Sequence, residues 1–134
     1  MFKKSTNKPQ TRIDSLIGST TRIEGNVFFS GGLRVDGSVT GNVSALPDQP
    51  GTLVVSEQAR IEGEVQAAHV VVNGTINGPL HATETLELQL GSRVKGDVHY
   101  KSIEMQQGAV VEGRLVHYGE AEARAVELKL AAGN

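Results

Sequence analysis

The sequence has no cysteine and no tryptophan, and only five of its 134 residues are phenylalanine or tyrosine. Without cysteine there is no disulfide framework, which fits a reducing compartment. With so few aromatic rings, a globular core built on large side chains is disfavoured. No apolar run approaches the roughly 18 residues that span a bilayer, and the basic amino terminus lacks the apolar stretch of a secretory signal. These absences predict a cytoplasmic protein.

The residues that are abundant indicate the kind of core. Most of the apolar content is valine, isoleucine and leucine, which fill narrow β interiors. Sixteen glycines are too many for a helical bundle, and they lack the triplet spacing of collagen. A net charge of −2 does not indicate a nucleic-acid binder. The composition therefore favours an all-β repeat protein with a single domain.

A five-residue phrase recurs six times: aliphatic, any, glycine, any, aliphatic. The first copy is Ile23-Glu24-Gly25-Asn26-Val27. The glycines of the six copies are Gly25, Gly41, Gly63, Gly78, Gly96 and Gly113, spaced by 16, 22, 15, 18 and 17 residues. The long interval contains two prolines and a glycine between residues 44 and 51, which predicts an inserted surface loop.

The repeat length predicts the architecture. Aliphatic pairs such as Leu33/Val35 and Leu53/Val55 precede five of the phrases, so each repeat holds two or three short strands. A period near 17 is too short for a helix pair and matches one turn of a three-sided β-helix. We predict an all-β fold, a single right-handed, three-sided parallel β-helix of about six turns. The repeated glycine either sits at a corner with positive φ or points into the core, and the sequence leaves both open.

Three histidines follow the repeat. His81, His99 and His117 are 18 residues apart, so we expect them to stack, with His117 displaced by one position. One interpretation is a metal site or the catalytic base of a hexapeptide-repeat acyltransferase. The other is a polar ladder on the surface, which we favour because no carboxylate or cysteine recurs beside them in ligand spacing. No phosphate-binding loop occurs, so nucleotide-driven assembly is disfavoured and no cofactor or metal is expected.

Several of these phrases together resemble a known family. Leu16-Ile17-Gly18, the run from Thr21 to Val27, and Ser30 to Gly37 closely resemble the bactofilins, as does Gly51–Val55 leading into Ala59–Val65. The resemblance covers roughly residues 13–118. It implies a β-helix with flexible tails that polymerises without nucleotide into non-polar filaments. It also implies a bacterial scaffold, not an enzyme, that positions cell-wall synthesis or remodelling proteins and affects cell shape.

The ends of such a solenoid favour assembly, because the first and last turns expose unpaired backbone groups and the ends of the apolar column. We expect the amino-terminal interface to contain Leu16, Ile17, Ile23, Val27, Phe28 and Phe29. We expect the carboxyl-terminal interface to contain Val111, Leu115, Val116 and Tyr118. A cap formed by residues 120–132 is the alternative to a disordered tail at 119–134, and it would give a capped monomeric binding module.

The tail at residues 1–12 has four cations and no acid. Its start, Met1-Phe2-Lys3-Lys4, resembles the membrane-targeting tail of part of the family. One phenylalanine inserts at the interface while each lysine near anionic headgroups contributes about 1 kcal/mol. Repetition along a filament makes such weak binding avid. We therefore expect a homopolymer at the inner face of the cytoplasmic membrane, with an anionic membrane surface and cell-wall proteins as its further partners.

Overall fold

The computed structural model describes residues 12–119, and within that range it contains strands and no helix. The strands are β1 (Ser15–Ile17), β2 (Arg22–Glu24), β3 (Val27–Phe29), β4 (Gly31–Val35), β5 (Ser38–Thr40), β6 (Val43–Ala45), β7 (Gly51–Val55), β8 (Arg60–Glu62), β9 (Val65–Val72), β10 (Thr75–Asn77), β11 (Leu80–Leu88), β12 (Arg93–Lys95), β13 (Val98–Met105), β14 (Val110–Glu112) and β15 (Leu115–His117). Every paired strand runs parallel to its neighbour.

The strands stack into three faces. The β2 face is a six-stranded sheet in the order β2-β5-β8-β10-β12-β14. The other two faces belong to a nine-stranded sheet, because β9, β11 and β13 continue from one face to the next. The β3 face contains β3, β6, residues 65–67, 80–82 and 98–100, and β15. The β1 face contains β1, β4, β7 and residues 69–72, 85–88 and 102–105. The prediction of an all-β, parallel β-solenoid of about six turns is confirmed.

The core is a column in which equivalent aliphatic residues lie on one another. On the β2 face the register pairs Val39 with Ile61 and Ile61 with Ile76, and all three are fully buried. The pair Leu33 and Val35 also points inward on the β1 face, as its alternation predicted. Each such side chain contributes about 1.5–3 kcal/mol through the area it removes from water.

The repeated glycines occupy corners, which settles the alternative that the sequence left open. Gly78 has a φ of +153°, a region that residues with a Cβ rarely adopt. A Cβ at Gly78 would overlap the carbonyl of Gly63, one turn earlier. The corner therefore requires glycine both for its backbone angle and for the close approach of the next turn.

Other predictions concern the loop and the termini. The inserted loop is exposed over residues 46–50, shorter than the predicted 44–51, because Ser44 and Ala45 complete β6 and Gly51 begins β7. The predictions for the basic tail, for its membrane-targeting residues Met1 to Lys4 and for the cap at 120–132 lie outside the described residues. Of the predicted tails, only Arg12 and Gly119 are described.

Candidate functional site: the two open ends of the solenoid

The first turn forms one open end. Within residues 12–119, β1 pairs only with β4, β2 only with β5 and β3 only with β6. Each of these strands therefore has one edge with no strand partner in the described range, and such an edge is a template for further strands. We call this surface the N-end.

The residues predicted for the N-end fall into three positions. Ile17 and Phe29 are buried in the column, where the Phe29 ring reaches the space beside Gly51. Ile23 and Val27 point inward and are half-buried, since no turn of the described chain lies on their outer side. Leu16 and Phe28 point away from the core, on the sides of the rod, and are 59% and 66% exposed.

The last turn forms the other open end, the C-end. Residues 102–105, β14 and β15 each pair with one strand in the described part of the chain. Leu115 and Val111 continue the inward columns, and Leu115 is 47% exposed. Ile103 and Met105 continue the columns of Leu86 and Leu88 and lie at the same end. Ile103 and Met105 are the last of the five aliphatic pairs of the repeat, and they were not among the residues predicted for the interface.

Two residues predicted for the C-end are placed on the side of the rod. Val116 is in register with His99 and points outward with it. Tyr118 is 5% exposed, because its ring lies against His99 with the centroids 5.7 Å apart. The Tyr118 hydroxyl lies 2.9 Å from Nδ1 of His81, two turns from the C-end.

Residues of like charge are never neighbours in register on the β2 face. Two outward columns flank the aliphatic column: Arg22, Ser38, Arg60, Thr75, Arg93 and Val110, and Glu24, Thr40, Glu62, Asn77, Lys95 and Glu112. Neighbours in a column are separated by about 4.8 Å. No two acids are adjacent in these columns, and Arg22 and Arg60 each pair along their own strand with a glutamate, at 2.6 and 2.7 Å. The arrangement avoids like-charge contacts on the β2 face, whereas on the β1 face Glu87 and Glu104 are neighbours in register.

The histidines stack as predicted, but they are not an exposed ladder. The rings of His81 and His99 are 4.5 Å apart and nearly parallel, and His117 is displaced by one position, in register with Tyr100. His81 Nε2 lies 2.8 Å from a carboxylate oxygen of Glu64, so Nε2 donates to Glu64 and Nδ1 accepts from Tyr118. Both ring nitrogens of His81 are therefore engaged within the protein.

The environment of His81 alters its titration. Burial lowers its pKa below the usual value of 6.5, the neighbouring His99 lowers it further, and Glu64 acts in the opposite direction. Neutral His81 is thus the favoured form at neutral pH. Among residues 12–119 no group of three or more histidine, aspartate or glutamate side chains is arranged to hold a metal ion. Within the same range, no helix is long and apolar enough to cross a bilayer.

A parallel β-solenoid with a free strand edge on each face at both ends of its described length belongs to the class of structural repeat proteins. Comparison with known proteins identifies the family. The family model described as Bactofilin, polymer-forming cytoskeletal, matches residues 15–116. The chain belongs to the bactofilin family, which confirms the resemblance found in its sequence. The family is structural and not enzymatic.

Two relatives from Myxococcus xanthus (strain DK1622) are similar to this chain. Bactofilin BacO is 26% identical over 102 residues, which are 76% of this chain and 78% of the relative. Bactofilin BacP is 28% identical over 109 residues, which are 81% of this chain. The match spans 43% of the length of BacP. No solved structure gives a significant match to the chain.

Proposed function

We propose that this bactofilin is a cytoskeletal scaffold that polymerises end to end into filaments through the N-end and the C-end. The proposal rests on one observation, the open strand edges at the N-end and at the C-end. Within residues 12–119, each end has three strands with one free side, and partly buried aliphatic residues lie between them. Joining two copies pairs the free edges and removes the ends of the apolar column from water, which stabilises the contact.

The charges on the β2 face favour a junction between like ends. In a head-to-tail junction, the six-stranded sheet of one copy would continue into that of the next, and β14 would pair with β2 in the same register as inside the rod. Glu112 would then lie beside Glu24 of the next copy. That contact would be the first between adjacent acids in the column. Like charges at such a position are destabilising.

A two-fold junction between two N-ends removes this repulsion. Related by a two-fold axis through the β2 face, the two β2 strands run antiparallel, with Ile23 opposite its own copy. Arg22 of each copy then faces Glu24 of the other. Because the strand is self-complementary in this arrangement, the proposed filament alternates its direction and is non-polar.

Assembly of this kind has no physical need for a nucleotide. The favourable free energy of assembly comes from hydrogen bonds between strand edges and from burial of apolar area at the ends. The folded chain already presents both the strand edges and the apolar area. The filament therefore forms and persists without hydrolysis, which makes protein concentration the variable that controls its length.

Residues 1–4 extend the proposal to the membrane. Met1 and Phe2 supply apolar groups, and Lys3 and Lys4 supply positive charge for anionic headgroups. A filament presents many copies of this weak site along one surface, so binding to the membrane and polymerisation support each other. The proposed place is the inner face of the cytoplasmic membrane, where the scaffold would position proteins of cell-wall synthesis or cell shape.

Negative-stain electron microscopy and sedimentation of the purified full-length chain test the central proposal. We expect filaments, and protein in the pellet, in buffer without nucleotide or added metal. Addition of ATP or GTP should leave the pelleted fraction unchanged. Discrete particles of three or fewer chains would overturn the proposal and favour a capped module or a trimeric acyltransferase.

A further inference from the structure

One side of the rod is covered although its residues point away from the core. Gln66 lies in the outward column of the β3 face, in register with His81, which is in turn in register with His99. Phe28, at an outward position of the same face in the first turn, is 66% exposed, whereas Gln66 is 7% exposed. Among the outward positions of this face, burial is therefore greatest at Gln66, in the middle of the rod, and least at Phe28, in the first turn.

Polar atoms in this covered strip are unpaired. Oε1 of Gln66 and Nδ1 of His99 are buried, and neither has a hydrogen-bond partner among residues 12–119. Buried polar atoms in native proteins are nearly always paired, so these two positions point to a polar partner. Beside them Ala68 and Thr83 are buried at the corner of the β3 and β1 faces.

The end of the described chain leads onto this strip. The amide of Tyr118 donates to the carbonyl of Tyr100, and its ring then lies on His99 with its hydroxyl at His81. The side chain of Tyr118 thus lies along the side of the rod and points toward Gln66, and Gly119, which follows it, is the last described residue. The amino-terminal segment begins elsewhere, since Arg12 lies beside Gly32 on the β1 face of the first turn.

We propose that the β3 face from His99 to Gln66 is a docking strip for the chain's own carboxyl-terminal segment, residues 120–134. Fifteen residues reach about 50 Å when extended, at roughly 3.3 Å per residue, and six rungs occupy about 24 Å. The segment is therefore long enough to cover the strip. Its backbone amides and the cations Arg124 and Lys129 supply the donors that Gln66 requires.

This docking has a consequence for the ends of the rod. A segment held along the side does not lie over Val111 and Leu115, so the C-end stays open. The strip is thus a means of keeping the carboxyl-terminal segment from acting as a cap. The inference concerns a side of the rod and does not depend on filament formation.

Disulfide mapping in the full-length chain tests the proposal, because the protein has no cysteine of its own. Gln66→Cys is combined in turn with Ala123→Cys, Val126→Cys and Leu130→Cys, and each dilute protein is oxidised. We expect at least one pair to form an intramolecular disulfide in most of the molecules, identified by mass after proteolysis. The matched control is Glu62→Cys, which lies in the same turn but is exposed on the β2 face, and it should form none with the same partners.

The outcomes separate the possible occupants of the strip. Disulfides between two chains would assign the strip to a second copy and overturn the proposal. Absence of any disulfide at Gln66→Cys, or equal yields at Glu62→Cys, would overturn it as well. Because the readout is a bond within one molecule, the result stands whether or not the protein forms filaments.

Discussion

Leu115 lies in register on Val98, yet their environments differ: Val98 is fully buried, while Leu115 is 47% exposed. The difference arises because the strand of Leu115 is the last one on its face in the described chain. Leu115 therefore has a neighbouring strand on one side only. A second copy placed at the C-end would complete that environment. Leu115 is therefore the residue at which the assembly proposal is most directly tested.

Leu115→Arg should weaken filament assembly. It places a charge in a contact that would bury it without a partner, which costs more than the contact gains. We expect at least a tenfold rise in the critical concentration, which corresponds to about 1.4 kcal/mol, measured by sedimentation, with an unchanged β signal in circular dichroism. The matched control is Val116→Arg, whose side chain points outward from the same strand and should leave pelleting near that of the parent. The reverse ranking of these variants would move the interface to the side of the rod.

Glu24→Arg distinguishes the two polarities. In the like-end junction it makes two arginines of β2 face each other across the interface, so assembly should weaken several-fold. In a head-to-tail junction the same change places the new arginine beside Glu112, and assembly should strengthen. The double variant Arg22→Glu with Glu24→Arg restores the complementary pairs of the like-end junction and should recover pelleting. Stronger assembly of Glu24→Arg would reject the non-polar filament.

Gly78→Ala should destabilise the fold by about 3 kcal/mol or more. Its backbone φ of +153° costs of order 1–3 kcal/mol for a residue with a Cβ, and the overlap with the Gly63 carbonyl adds to this. Gly18→Ala is the matched control, since no atom lies within 4 Å of its Cβ position and its φ is ordinary; its effect should stay within about 0.5 kcal/mol. Denaturant unfolding in the Leu115→Arg background avoids interference from polymers. Equal stabilities would contradict the packing argument for the corner glycines.

The buried histidine predicts a dependence of stability on pH. Because the pKa of His81 is lowered in the folded chain, the unfolded chain binds its proton first as the pH falls below 6.5. The free energy of unfolding should therefore decrease as the pH falls from 7 to the pKa of His81 in the folded chain. Below that pKa, the contribution of His81 no longer changes with pH, and the stability stays lower than at pH 7. His81→Gln should flatten this slope, and an NMR titration should place the His81 pKa below 6.5. His69, whose pKa is also lowered by burial, contributes a remaining slope in both proteins.

Deletion of residues 1–8 should release the protein from anionic liposomes and leave polymerisation intact. Lys3→Ala with Lys4→Ala should weaken binding of a non-polymerising variant by about 2 kcal/mol, roughly thirtyfold, since each lysine contributes about 1 kcal/mol at an anionic surface. Phe2→Ala should weaken it on neutral liposomes as well. Liposome pelleting that is unchanged by the deletion would remove the membrane from the proposal, while the filament assay would be unaffected.

Sequence alone predicted most of the fold because the fold is a repetition. A glycine phrase at a period near 17 defines the turns, and alternation at pairs such as Leu33/Val35 defines which side chains face inward. The stacking of His81 on His99 followed from the same period. These features depend only on local spacing, which one chain displays in full.

The candidate site was predicted less completely. Leu16, Phe28 and Val116 were assigned to the ends from their apolar character, but in the structure they point outward from their strands. Ile103 and Met105, which the structure places at the C-end, follow the repeat as well as any other pair. They differ from the buried pairs only in that no further turn of the described chain covers them.

What the sequence determined by itself is the number of turns, the composition of the column and the places where only glycine fits, because each is set by periodicity and by the size of a side chain. Only the tertiary structure decided that Tyr118 turns onto His81, 37 residues earlier, instead of closing the C-end. It also decided that the six phrase glycines are corners, because their φ angles come from how one turn is stacked on another. The same stacking brings a carbonyl of the preceding turn against every phrase glycine except Gly25. Contacts between turns depend on register in three dimensions, which a linear pattern does not specify.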